Sequence, residues 1–178
     1  MIKKNGTVYR LNTPNTTLVL QADTAQILYY GARLPAGDAF AAVAPLGRRF
    51  FSAPGTNDYT ECSVIVEHAD GSFASQFLFS RAKTYTEKPV LPDLPSSYGE
   101  GRSLELKYTD PVTRVSLYIQ YTVFEDSDVI AVSSRVVNGS KKPVRLRRLM
   151  SLQCDLIGTE QEVVTFNGTW ARERHKTS

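Results

Sequence analysis

Cysteine, histidine and tryptophan are nearly absent from this chain of 178 residues, which holds two Cys, two His and one Trp. Cys62 and Cys154 cannot build a disulfide framework across such a length. Neither sits in a CxxC spacing or a Cys/His cluster, so no metal site and no cofactor is predicted. His68 and His175 stand apart, and a Ser-His-Asp triad needs a histidine oriented by a carboxylate. No apolar run approaches the length of a membrane span. Met1-Ile2-Lys3-Lys4 is basic, but no apolar stretch follows it, so no signal peptide is predicted. These shortages together point to a reduced, cytoplasmic setting. There the four N-x-S/T sequons at Asn5, Asn15, Asn138 and Asn167 carry no meaning. The formal charge of +3 is small and the signs are interleaved, so neither nucleic acid nor a membrane surface is implied as a partner.

Helical periodicity is missing as well. No window places apolar residues at i, i+3, i+4 and i+7 over a helical length. The period is two almost throughout. Val115, Leu117, Ile119, Tyr121 and Val123 share one face of a half-buried strand. Leu104, Leu106 and Tyr108 alternate cleanly. Val144, Leu146, Arg148 and Met150 alternate with Arg145, Arg147, Leu149 and Ser151, but Arg148 breaks the pattern. Arg145 and Arg147 fall on a solvated face. Further strands are predicted over residues 7–12, 17–22, 26–30, 62–67, 75–84, 130–138 and 162–166, rich in Val, Ile, Thr and Tyr. Asp70-Gly71 reads as a tight hairpin, and Asn138-Gly139-Ser140 as another before the next strand. Asp110-Pro111 marks a further turn. About ten short strands so punctuated predict an all-β fold, one antiparallel β-sandwich domain with little or no helix. A domain of this size buries about 70% of its unfolded surface, enough for a core without staples.

Two segments break the strand rhythm. Residues 34–59 are rich in Ala, Pro and Gly and carry Arg48-Arg49-Phe50-Phe51. Residues 87–101 hold three prolines, two glycines and Tyr98. Long loops in a compact domain are functional or disordered. Buried aromatics would anchor such loops, and loops on a rigid scaffold carry most contacts. Glycoside hydrolysis needs two carboxyls about 5–10 Å apart. The candidate pairs are Asp58 with Glu61 and Asp126 with Asp128. The second reads as a turn whose acidic side chains cap their own backbone. No convincing acid/base pair emerges, so no catalytic residue is assigned.

The C-terminal stretch is the most distinctive. Gly168-Thr169-Trp170-Ala171-Arg172-Glu173-Arg174 packs the only tryptophan beside a charge cluster, and the chain stops shortly after it. This reads as a cut through a longer polypeptide. The segment resembles the G-x-W-x-R-E-R stretch that closes the N-terminal domain of glycoside hydrolase family 36 α-galactosidases. Three upstream segments agree in order. Tyr29-Tyr30-Gly31-Ala32-Arg33-Leu34 is similar to the family's early YYG strand end. Lys88-Pro89-Val90-Leu91-Pro92-Asp93-Leu94-Pro95-Ser96-Ser97-Tyr98 resembles its Pro-rich loop. Tyr121 to Asp126, Asp128-Val129-Ile130, Asn138 and Ser151 to Asp155 resemble a later run.

The resemblance implies that residues 1–178 form the N-terminal β-supersandwich of a retaining α-galactosidase. Its catalytic carboxylates would lie in a (β/α)8 barrel beyond this chain. The chain alone would be inactive, and the parent would cleave terminal α-linked galactose from raffinose- or melibiose-type oligosaccharides. The implied partners are that barrel, galactosides bound by the whole enzyme, and further copies, since the family forms tetramers. Asp58, in Gly55-Thr56-Asn57-Asp58-Tyr59, aligns with an aspartate that reaches the galactose pocket across a subunit interface. The family's Asp-Phe-Arg reads Asp58-Tyr59-Thr60 here. A carboxylate accepts sugar hydroxyls through charge-assisted hydrogen bonds. Turn-forming Asp residues are common as well, and that reading stays open for Asp58. The resemblance places Trp170 beside the sugar, where an indole face covers galactose C–H groups; plugging a domain interface suits the same ring. Arg172, Glu173 and Arg174 suit an ion-pair cluster at that interface. Tyr98 suits packing between subunits or walling a subsite. A stand-alone carbohydrate-binding sandwich and a purely structural interaction domain are the competing readings.

Overall fold

The computed structural model describes residues 1–37, 48–56, 60–92, 97–155 and 162–177, and over these the chain is all-β. A first antiparallel sheet, in the order β1 (Ile2–Asn5), β2 (Val8–Asn12), β3 (Thr16–Gln21) and β4 (Gln26–Ala32), is a simple meander. A second has the order β6 (Leu78–Tyr85), β7 (Gly101–Thr109), β8 (Val115–Phe124) and β9 (Ile130–Asn138). Between them in the chain, β5 (Val64–Glu67) pairs with β10 (Arg145–Leu149). The hairpin of β11 (Thr165–Thr169) and β12 (Arg172–Thr177) follows.

The period-two pattern decides which face is buried. Val115, Leu117, Ile119, Tyr121 and Val123 of β8 are buried in register beside Leu104, Leu106 and Tyr108 of β7. They meet Tyr9, Leu11, Leu18 and Leu20 of β2 and β3 in one core. Each such side chain is worth about 1.5–3 kcal/mol on burial. Tyr108 ties the layers together, its hydroxyl donating to the Ala22 carbonyl at 2.6 Å. The opposite face of β2 and β3 is also covered. Arg10 is only 4% exposed. Its guanidinium donates to the carbonyls of Leu34, Pro35 and Gly37 and to Asn12 Oδ1. The start of the Ala/Pro/Gly-rich segment is thus laid over the sheet by satisfied backbone carbonyls.

Several turns differ from expectation. Asp70-Gly71 is a tight turn, with Gly71 at φ +82° and Ser72 N–H donating to Asp70 Oδ1. The strands on either side of it, β5 and β6, belong to different sheets, so it is a corner of the sandwich and no hairpin. Asn138-Gly139-Ser140 is likewise a corner, because β10 pairs with β5 and not with β9. Asp110-Pro111 opens the true hairpin between β7 and β8, closed with Arg114 at φ +60°. Strand β1 was not predicted, and lysines on an edge strand explain why: the edge protects itself with charge. Strand β12 escaped for a similar reason, four of its six residues being charged. Asp128 does not cap its own turn. Its carboxylate accepts from Thr13 Oγ1, Asn15 N–H and Asn15 Nδ2, each at 2.7 Å, joining the β8–β9 turn to the β2–β3 turn.

The break at Arg148 is a β-bulge. Register slips between Leu146 and Arg148 leave Arg147 as the extra residue. Val144 and Leu149, five apart, can then both pack on the core. Arg145 and Arg147 share Glu67, at 3.8 and 2.5 Å, on a solvated face as the sequence indicated.

Candidate functional site

Phe50 and Phe51 enter the core as the sequence suggested for a loop anchor. Their rings lie edge-on to Tyr108 and Tyr121, with Phe51 4.8 Å from Tyr108 and Phe50 6.0 Å from Tyr121. The chain leaves the core after Ala53 and returns at Ser63. The two legs are bonded together: Ser52 N–H donates to Ser63 Oγ at 3.0 Å, Val64 N–H to the Ser52 carbonyl at 3.0 Å, and Ser52 Oγ to the Glu61 carbonyl at 3.0 Å. Between these legs lies the segment that carries Asp58. Asp58 itself lies outside the described residues. The described residues that precede it, 53–56, are tied down by hydrogen bonds. Thr56 Oγ1 donates to the Ala53 carbonyl at 2.8 Å, and Ser75 N–H to the Pro54 carbonyl at 3.0 Å. Gly55 has φ +94°, a conformation that favours glycine.

The segment after β10 closes against the same neck. Arg148 donates to Glu61 Oε1 and to the Cys62 carbonyl, the latter at 3.1 Å. Met150 N–H donates to the Ser63 carbonyl at 2.9 Å. Gln153 lies against both legs: its Oε1, 2.9 Å from Ser52 Oγ, shares that hydroxyl's one proton with the Glu61 carbonyl, and its Nε2 is 3.5 Å from Thr60 Oγ1. Arg48 pairs with Asp155 at 3.6 Å. Burial, reinforced by the charge of Asp155, holds the Cys154 thiol above its ordinary pKa. Ser151 to Asp155 enter the sequence reading only through the family resemblance. The role of Gln153 carried no sequence signal.

Trp170 sits at the tip of the β11–β12 hairpin and is 97% exposed, beside Ala171 at φ +60°. Phe166 on the same hairpin and Val163 just before it are exposed too. Among the described residues Arg172, Glu173 and Arg174 form no ion pair with one another, and the interface for which the sequence suggested them lies outside this chain. Tyr98, which the sequence suits to packing between subunits or walling a subsite, is 97% exposed. Beside it, Lys88 Nζ donates to the Ser97 carbonyl, and at Gly101 a Cβ would lie 2.8 Å from Thr122.

The remaining candidates are in structural use. His68 Nε2 and Ser75 Oγ lie 2.9 Å apart, two members of a triad. Both residues are buried, and among the described residues no carboxylate meets Nδ1. Asp110, the carboxylate nearest in role, accepts from Thr113, Gln76 and Val112 N–H. Burial alone would raise its pKa, and these three donors outweigh burial and hold it below the usual range. The donors on Asp128, the Asn15 side chain foremost and then Thr13, hold that carboxyl low as well.

The model of the glycosyl hydrolase family 36 N-terminal domain matches residues 23–178. Alpha-galactosidase 1 of Pediococcus pentosaceus is 31% identical over 70% of this chain and 18% of its own length. Alpha-galactosidase C of Emericella nidulans is 26% identical over 97% of this chain and 25% of its own length. The chain therefore spans roughly a fifth to a quarter of the curated relatives it matches. Among solved structures, the family 36 α-galactosidase AgaB of Geobacillus stearothermophilus superposes with TM-score 0.87 at 21% identity, covering 99% of this chain and 28% of that one. A variant of AgaA from the same organism, in complex with raffinose, gives TM-score 0.84 at 21% identity over 96% of this chain and 27% of that one.

Proposed function

This chain belongs to the glycosyl hydrolase family 36 N-terminal domain family, and from that premise we propose that it is the non-catalytic N-terminal domain of a longer, retaining α-galactosidase. Residues 1–178 form its β-supersandwich, and a catalytic barrel beyond this chain supplies the nucleophile and acid/base carboxylates. The substrates are terminal α-galactosides of the raffinose and melibiose type. The enzyme assembles as a homo-oligomer in the cytoplasm, with no cofactor. The observation that carries the reading is the family match over residues 23–178, with relatives about four times as long as this chain bearing α-galactosidase names.

Within that reading, Asp58 accepts two galactose hydroxyls in a neighbouring subunit's pocket. Such charge-assisted bonds are worth about 1.5–3 kcal/mol. Asp58→Ala in the longer polypeptide should therefore lower kcat/KM about 10- to 150-fold, mainly through KM, with the fold intact by circular dichroism. Unchanged kinetics would remove Asp58 from the site. Trp170 covers the sugar's C–H face or the barrel beside it; its near-complete exposure at the hairpin tip supports a role against a surface outside this chain. The exposure of Trp170 and Tyr98 also favours a second reading, a self-sufficient sugar-binding sandwich. Titrating the isolated chain with raffinose separates the two: the domain reading expects no binding, and the module reading requires it.

A further inference from the structure

A cleft of about 500 Å³ lies where the Asp70 and Ser140 corners of the sandwich meet the β7–β8 turn. That volume is within the range of small-molecule sites. The cleft shares no residue with the Asp58 loop or the Trp170 hairpin. Its walls are locked together. Buried Asp110 accepts from Val112 and Thr113 N–H, and Arg114 N–H donates to the Asp110 carbonyl at 2.9 Å. Gly139 N–H donates to the Arg114 carbonyl at 3.1 Å, so close that a Cβ at 139 would lie 2.6 Å from that oxygen. Asn138 closes the next corner, its Nδ2 donating to the Lys142 carbonyl and its Oδ1 accepting from Ser140 N–H. Arg114, Lys141 and Lys142 line the cleft, and among the described residues none of them makes an ion pair. A few residues further on, Arg145, Arg147 and Arg148 all engage Glu67 or Glu61. The carboxylate at the cleft, Asp70, gives Oδ1 to Ser72 N–H and Oγ. His68 lines the same cleft and is only 7% exposed. Its Nε2 is engaged by Ser75 Oγ at 2.9 Å, and its Nδ1 has no partner among the described residues. A buried ring nitrogen left unpaired is destabilising and calls for a partner from outside the chain.

We propose that this cleft binds a small oxyanion of the phosphate class, either the free ion or the phosphate of an ester with a small organic body. Arg114, Lys141 and Lys142 supply the attraction, three cations against one carboxylate. The Arg114 guanidinium offers a planar fork suited to two phosphate oxygens. The Ser75 hydroxyl has one proton; donating it to Nε2 leaves the proton of the neutral imidazole on Nδ1, a donor for a third oxygen. Val112 and Val144 form the apolar part of the wall, which suits the body of an ester. The binding site is separate from the proposed sugar pocket and does not depend on the α-galactosidase reading.

The test follows the ring nitrogens of His68 and His175 by heteronuclear NMR in the 178-residue chain. The probes are inorganic phosphate and glycerophosphate, added at constant pH and at an ionic strength held with sodium chloride. Glycerol is the uncharged control. Either probe should shift the His68 nitrogens saturably and leave those of His175, on the exposed β12 strand, in place. Replacing both lysines, Lys141→Ala with Lys142→Ala, alters two exposed side chains and should weaken binding about tenfold with Tm unchanged. Arg114→Gly removes the third cation and relaxes the φ of +60°, so it should weaken binding without lowering Tm. Tighter binding of glycerophosphate assigns the cleft to an ester, and tighter binding of inorganic phosphate assigns it to the free ion; both support the oxyanion site. A His68 signal that does not move, or that moves in parallel with His175, overturns the proposal. So does undiminished affinity in the double lysine variant, or glycerol binding as tightly as its phosphate.

Discussion

Two tyrosines in the same core give a sharp test of how this fold is stabilised. Tyr108 and Tyr121 are both buried to about 1% exposure and sit on neighbouring strands. Their hydroxyls differ. Tyr108 donates to the Ala22 carbonyl at 2.6 Å, whereas Tyr121 finds no partner among the described residues. Burial pushes both phenols well above their ordinary pKa, so both are neutral at any ordinary pH. A buried hydroxyl without a partner costs about 1–3 kcal/mol, and a satisfied one contributes about 0.5–1.5. A hydroxyl-sized void costs about 0.3 kcal/mol at ~24 cal/mol per Å³. Tyr121→Phe should therefore stabilise the chain by about 1–2 kcal/mol, and Tyr108→Phe should destabilise it by a similar amount. The difference of about 2–4 kcal/mol corresponds to roughly 4–16 °C in Tm for a domain of this length. Urea unfolding at constant m-value measures it directly through the midpoint. A Tyr121→Phe variant destabilised by 1 kcal/mol or more would refute the reasoning, because it would mean that the hydroxyl is satisfied.

Three further outcomes follow from the same geometry. The Asp128 carboxyl titrates below its unfolded value, so its contribution is complete above the unfolded pKa of about 3.9 and is lost as pH falls through the folded pKa; Asp128→Asn should flatten the fall in stability below about pH 4, and an unchanged acid slope would contradict the three-donor geometry. Cys154, with its pKa raised by burial, should alkylate with iodoacetamide more slowly than the same residue in urea; equal rates in the two states would contradict its placement. Trp170, at 97% exposure, should be quenched by iodide in the 178-residue chain as readily as free tryptophan. Protection in the isolated chain would contradict the exposed hairpin.

The strands were legible where burial enforces alternation. Val115 to Val123 and Leu104 to Tyr108 displayed their inner faces directly, because one side of a sheet is solvated and the other is not. The Arg148 anomaly was visible too, and the bulge at Arg147 is its physical cause. The corners were misread because Asp-Gly and Asn-Gly specify a local reversal of the chain, not which strand pairs after it. Arg10 gave no warning of its burial, since its partners are carbonyls of residues 34–37 and carbonyls leave no trace in sequence. The motif around Trp170 was legible as family pattern, but its exposure was not. For the Asp58 loop, the sequence named the carboxylate, and the structure adds the hydrogen bonds that join Ser52 to Glu61, Ser63 and Val64.

The most direct test of the account is to measure hydrolysis of raffinose by the longer polypeptide and by the 178-residue chain side by side. The account predicts galactose release by the longer polypeptide, with the α-anomer formed first, and no release or binding by the short chain. Turnover by the 178-residue chain alone, or none by the longer polypeptide, would contradict it.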